Sequence, residues 1–182
     1  MSYVPTPATI DDAPEASRPI LDALQRQFGR VPNLHRLVSN SPAALAGLAG
    51  LQGALGKGEL APATRERIAL AVAEINGCDY CLSAHSYSGA KLAHLDAREI
   101  AANRRGTSND PRAAAAVEFA CALTVARGAV GPGAVATLRA AGYGDAEIVE
   151  IIAHVALNTF TNYVNEALAT EIDFPRVDRL AG

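Results

Sequence analysis

Four residues have the types and spacing to do chemistry together: Glu66, Cys78, Cys81 and His85, all within RERIALAVAEINGCDYCLSAH (65–85). Two residues separate the cysteines, and His85 follows Cys81 by four. On a helix, positions i, i+3 and i+7 share a face, so both thiols and the imidazole can meet. A cysteine near its ordinary pKa of ~8.5 is mostly protonated at neutral pH, and only the thiolate attacks a peroxide or a disulfide. Gly77 ends one helix and places both cysteines in the first turn of the next, where free N–H groups and the helix dipole favour a thiolate. His85 is placed to take the proton of Cys81 or to pair with its anion. A second thiol at i+3 can resolve a sulfenic acid as a disulfide. Asp79, between the thiols, opposes this unless it points away. Glu66 has Ala69, Leu70 and Ala73 as helical neighbours. That apolar face predicts a carboxylate buried with a partner, against the plainer alternative that it reaches solvent in the first turn.

Composition bounds the setting. The chain has 182 residues, 49% of them hydrophobic, many of these alanine, with 5% aromatic residues and no Trp. That suits one all-α domain with a sizeable core. A net charge of −3 gives no footprint for nucleic acid or an anionic membrane. No secretory signal is visible, and no apolar run approaches the ~18 residues of a membrane span. These features predict a cytoplasmic protein. In a reducing compartment three cysteines are not a disulfide framework, and a CxxC is catalytic or metal-binding.

The elements that must position the four residues follow from punctuation and periodicity. Residues 1–11 read as an extended arm. Asp12 caps a helix from about Pro14 to Gly29 with Ile20, Leu24 and Phe28 inward. VPNLHRLVSN is a connecting turn or short helix, with His35 as a loop residue. Ser41-Pro42 opens a helix with Leu45, Leu48 and Leu55. Pro62 opens the next, with Ile68, Val72 and Ile75 on one face. The cysteine helix runs to about Ala93, and a short helix covers 96–103. Asp110-Pro111 begins another, followed by a helix near 132–141. Asp145 caps the last, running to about Ile172 with Ile148, Ile152, Val155, Phe160 and Val164 apolar. The total is seven to nine helices. No segment alternates with period two, and both flanks of the CxxC are helical, which excludes a thioredoxin-type strand-to-helix motif.

Other candidates are weaker. Zinc needs four ligands, and only Cys121 and His85 could join the pair, without supporting spacing. Cys121 falls with Ala114, Val117 and Val125 on an apolar stripe and reads as core. His94 reads as a solvated helix end. His154, Asn158, Thr161 and Asn165 form a polar stripe of amides, hydroxyl and imidazole, unlike a usual charged solvent face. It either borders the active-site cavity, meets another subunit, or is an ordinary exposed face.

Glu-x11-Cys-x2-Cys-x3-His resembles the signature of the AhpD-like alkylhydroperoxidases, within the carboxymuconolactone decarboxylase superfamily. The match is strongest over about 62–93, and NTFTNYVNEALATEIDFP resembles the branch known only as peroxidase-related. The resemblance implies a helical fold assembled as trimers or hexamers, and thiol-dependent reduction of hydroperoxides. It makes Cys81 the peroxidatic cysteine, Cys78 the proton donor and resolving cysteine, and His85 with Glu66 a proton relay. An external thiol donor closes the cycle, with no organic cofactor or metal. One departure is Tyr80, where described members carry histidine; a phenol of pKa ~10 is no base at neutral pH. The alternatives are a lactone-decarboxylase-like lyase, a non-enzymatic redox switch and a metal-binding scaffold.

Overall fold

The computed structural model describes residues 2–180. Among them are nine α-helices, one 3-10 turn and no strand, as the alanine-rich, non-alternating sequence predicts. The helices are α1 (Arg18–Phe28), α2 (Asn33–Val38), α3 (Pro42–Leu55), α4 (Pro62–Asn76), α5 (Asp79–Lys91), α6 (Ala97–Arg104), α7 (Pro111–Val125), α8 (Gly131–Ala140) and α9 (Asp145–Leu168). Several begin where side-chain acceptors stand ready. Ser41 Oγ accepts from Ala44 N, Asp96 from Glu99 N, and Asp110 from the backbone of Arg112 and Ala113.

Two expected caps are elsewhere. Asp12 is engaged by the backbone N–H and hydroxyl of Thr9. The chain therefore makes a 3-10 turn at Glu15–Ser17 before α1 starts. At α9 the cap is Gly144, whose N–H is received by Glu147; Asp145 is the first helical residue. The helix stops at Leu168, short of Ile172, because Ala169 turns left-handed (φ 50°). The chain then leaves as an irregular strap.

α4 is the hub. Ile68 through Ala73 are all at most 2% exposed, and a helix apolar all round must be surrounded. It packs against α5, α6, α7 and α9. Ala69, Ala71 and Ala73 leave room for those neighbours to approach closely. One apolar cluster joins α1–α3 to α5 and includes both Cys78 and Cys81. The other joins α4, α7, α8 and α9 through Ile68, Val72, Phe119, Leu138 and Ile151.

The outer side of α4 is tied to α6 by ion pairs, Arg67–Glu99 at 2.7 Å and Glu74–Arg104 at 2.6 Å. Glu99 also accepts from Asn103, Ser108 and the Asn109 N–H, pinning the α6–α7 loop. Burial opposes its charge, but those donors outweigh it and hold the carboxyl at about 2. The stability it gives is complete above an ordinary carboxyl pKa of ~4.3 and is lost as pH falls through that value towards the depressed one. Glu99→Gln is expected to cost about 2 kcal/mol at pH 7. In urea melts the difference from wild type should shrink at pH 2–3; a cost independent of pH would contradict this role.

Candidate functional site

The site begins with a stop. Gly77 ends α4 at φ 67°, a left-handed conformation that glycine adopts without strain. A Cβ there would also lie 2.7 Å from Arg179 Nη1. The reversal makes Cys78 the N-cap of α5, with extended backbone (φ −95°, ψ 97°). Its sulfur accepts from Cys81 N at 3.3 Å, a position usually held by a Ser or Asp oxygen. Both cysteines are free and buried. Asn165, from α9, donates to Cys81 Sγ at 3.2 Å.

These contacts separate the two thiols electrostatically. The Cys78 S–H donates to Cys81 and holds it below the ordinary thiol value; His85, Asn165 and Asn162 add to this, and burial opposes it. Cys78 is pushed far up, because Cys81 holds its proton and burial opposes its ionisation. Asp79 does not spoil the arrangement. It points to the strap, pairing with Arg179 at 2.8 Å and, more loosely, with Arg176.

His85 Nδ1 lies 2.9 Å from Glu66 Oε2, joining α5 to α4, with both side chains about three-quarters buried. Burial pushes the imidazole towards neutrality, but the Glu66 carboxylate and the Cys81 thiolate outweigh it, so its pKa is raised. The structure thus brings all four sequence candidates together. The pair Cys78–Cys81 is in contact, Cys81 and His85 sit one turn apart, and His85 rests on Glu66.

Tyr80 has a different place. Its hydroxyl donates to Asp173 at 2.8 Å and accepts from Leu34 N, and its ring meets Phe174 edge-on. Burial and the Asp173 charge push its pKa up. It latches the strap to α2. Tyr80→Phe leaves the Leu34 N–H and Asp173 short of a partner and is expected to cost about 1–2 kcal/mol. The pH dependence of thiol oxidation should not move; a moved profile would make Tyr80 part of the relay.

A cavity of about 740 Å³ lies in front of these residues, between α1–α5, α9 and the strap. Cys81, His85 and Glu66 line it, while Cys78 lies behind. The polar stripe of α9 faces inward, not towards solvent. His154, Asn158 and Thr161 line the cavity, and Asn165 reaches the sulfur. The apolar residues expected inside partly face out: Ile152 and Phe160 are each 42% exposed. Phe28, Ile75 and Val125 are likewise exposed.

Sequence reasoning missed His35. It is helical, not in a loop, buried on α2, and on the cavity wall with Gln52. The signal was its setting in NLHRLV, where Leu34, Leu37 and Val38 are all buried. Cys121 is half-buried at the edge of the core, its sulfur beside Gly106, and Val125 beyond it is exposed. His94 is exposed, as expected. Among the described residues no cluster of His, Cys, Asp or Glu could hold a metal ion, and no helix is long and apolar enough to cross a membrane.

Residues 42–122, which span α3 to α7 and carry Glu66, both cysteines and His85, match the carboxymuconolactone decarboxylase family. The segment that holds the site is thus similar to that family. Solved structures extend the likeness to the whole helical fold. An uncharacterized peroxidase-related protein from Silicibacter sp. TM1040 is 26% identical with a TM-score of 0.81, covering 93% of this chain and 91% of that one. An uncharacterized peroxidase-related protein from Ralstonia eutropha JMP134, described as an alkylhydroperoxidase AhpD core, is 22% identical with a TM-score of 0.84 over 94% and 92%. The debrominase Bmp8, as a cysteine-to-alanine variant in complex with 2,3,4-tribromopyrrole, is 22% identical with a TM-score of 0.79 over 95% and 94%. No curated protein matches the chain. The likeness to these structures is one of fold, an all-helical AhpD-like domain.

Proposed function

We propose that the protein is a dithiol peroxidase that reduces small organic hydroperoxides. The observation that carries this reading is the asymmetry of the cysteine pair: Cys81 opens on the cavity as the more acidic thiol, and Cys78 sits behind it holding the proton. The Cys81 thiolate attacks the terminal oxygen of the hydroperoxide, and the O–O bond breaks. The leaving alkoxide takes a proton from the His85 imidazolium, which the Glu66 carboxylate keeps in place. Cys81 is now a sulfenic acid. Cys78 attacks its sulfur and water leaves, giving the disulfide. Two electrons and two protons from an external dithiol restore both thiols. Such a donor fits the cytoplasmic setting expected from composition.

The cavity favours a second reading within the same chemistry. Its volume lies in the range of sites that enclose whole organic ligands, well beyond what an O–O–H group needs. The Cys81 thiolate could instead accept a halogen from an electron-rich haloaromatic, the ring carbon gaining a proton. Cys78 would then displace halide to form the same disulfide. Turnover with cumene hydroperoxide or with a bromopyrrole, each with a dithiol reductant, separates the readings by alcohol or by bromide release. Turnover of neither, together with a lactone decarboxylation that survives Cys81→Ser, would sink both in favour of a lyase.

A homo-oligomer, trimer or hexamer, belongs to the same proposal. Its support is the outer face of α9, where Val149, Ile152, Phe160 and Tyr163 are exposed side by side. Sedimentation equilibrium should find no monomer at micromolar concentration.

A further inference from the structure

The redox cycle assigns no task to the polar stripe of α9. Two of its members are spent on their own helix: Asn158 Nδ2 donates to His154 O, and Thr161 Oγ1 donates to Asn158 O. Asn165, one turn further along, reaches across to α5. It is 3% exposed, and its Nδ2 donates to Cys81 Sγ at 3.2 Å. The other end of the amide, Oδ1, is buried with no partner among the described residues. A polar atom left so in a protein interior carries a cost, and here the cost accompanies a donor held on the reacting sulfur. The reverse orientation would set Oδ1 against the sulfur and repel an anion there. Asn162, three residues earlier on the same face, is fully buried, and its Oδ1 accepts from Asn76 Nδ2 at 2.9 Å, tying α9 to α4. The Cys78 sulfur accepts instead from the Cys81 N–H, with no side-chain amide on it among the described residues. The Asn165 amide therefore distinguishes two thiols that share one helix turn.

We propose that Asn165 is a catalytic residue, whose amide N–H holds the Cys81 sulfur as the anion that attacks the substrate. The inference deepens the reading of Cys81 as the attacking thiol and rests on it. A neutral donor suits the cycle better than a cation. The sulfur begins as a thiolate and passes through a sulfenic acid and a disulfide, both uncharged. A buried Lys or Arg would lose its counter-charge at those stages, which is costly in a protein interior. His85 escapes that cost by giving its proton to the leaving alkoxide. Asn165 escapes it by carrying no charge, so the same donor serves every turn of the cycle. The titratable groups around the sulfur are Cys78, Tyr80 and His85 on α5, Glu66 on α4 behind His85, and the exposed Glu166 beside Asn165 on α9. Of these, Cys78 and His85 directly favour the anion, and each changes its protonation during the cycle. Asn165 does not.

The test reads the sulfur itself, without peroxide. The rate of Cys81 alkylation by iodoacetamide, followed by mass spectrometry of the reduced protein, is measured against pH in wild type, Asn165→Leu and Asn165→Ala. Both variants remove the donor, one keeping the volume and one reducing it. The midpoint of the Cys81 profile should rise by about one to two pH units, the worth of a hydrogen bond to an anion. The plateau at high pH should equal or exceed that of wild type, because a more basic thiolate is the better nucleophile. A side chain that merely props the fold gives the opposite pattern, a lowered plateau with the midpoint in place. A midpoint that stays at the wild-type value in either variant, whatever the plateau, overturns the inference. Wild type is also given cumene hydroperoxide or a bromopyrrole with a dithiol reductant. Raised midpoints in the variants without turnover in wild type would remove the enzymatic reading and leave the Asn165 hydrogen bond to the anion standing. Turnover in wild type with unmoved midpoints would do the reverse.

Discussion

Cys81→Ser is expected to abolish hydroperoxide turnover, lowering kcat by at least about 10³-fold, because no other thiol faces the cavity. Cys78→Ser should behave differently. A serine hydroxyl still donates to the Cys81 sulfur and still caps α5, so the first oxidation proceeds. The cycle then stalls at a sulfenic acid with no resolving thiol behind it. One equivalent of peroxide is consumed rapidly, and turnover falls to the slow rate at which an external thiol reaches Cys81. Stopped-flow kinetics resolves the two cases. Equal loss of the first step in both variants would mean that the thiols act as one unit. The high pKa of Cys78 is no obstacle to its later attack. Oxidation of Cys81 removes both the anion that held the Cys78 proton and the charge that opposed its ionisation.

His85→Gln is expected to lower the second-order rate with hydroperoxide by about 10²–10³-fold at pH 7. Two effects combine. The Cys81 thiolate loses a neighbouring cation, so its pKa rises, and the leaving alkoxide loses its proton donor. The first effect has a sign that can be checked. In wild type the rate should reach its plateau below the ordinary thiol pKa of ~8.5, whereas the variant needs higher pH to approach its own plateau. The second effect persists there, so rescue at high pH is partial. Glu66→Gln should fall in the same direction by a smaller factor. A neutral amide can still orient the ring but no longer favours the imidazolium. A Glu66→Gln enzyme with an unaltered profile would leave Glu66 as a packing residue.

How much of this was legible in the sequence depends on the kind of signal. Helix ends with a side-chain acceptor and a proline, such as Ser41-Pro42 and Asp110-Pro111, are local and were placed well. Gly77 was legible for the same reason, and through it the position of Cys78 at the head of α5. Asp12 misled because its carboxylate had a nearer donor in Thr9. The four-residue constellation was legible because three of its members share one helix start. Glu66 needed only the apolar face of α4 to suggest a buried partner.

The cavity was not legible. His35 is brought to it by the packing of a six-residue helix that carries no periodic signal. On α9 the polar stripe was recognised as unusual, but which way it faced depends on what the neighbouring helices present. Cys81 needs an amide donor and the cavity needs polar groups, so amides and an imidazole are buried while Ile152 and Phe160 lie outside. Hydrophobic periodicity reads a helix against an apolar core, and this face of α9 lines the cavity and reaches the Cys81 sulfur instead.

The most direct test of the account is mass spectrometry of the peptide containing Cys78 and Cys81 after full reduction and a brief exposure to one equivalent of cumene hydroperoxide. Wild-type protein should lose two hydrogens within seconds as the disulfide forms. Cys78→Ser should carry a trappable sulfenic acid at Cys81, and Cys81→Ser should remain a thiol at Cys78. Slow oxidation of wild type, or a sulfenic acid found at Cys78 instead, would contradict the assignment of Cys81 as the residue that meets the substrate.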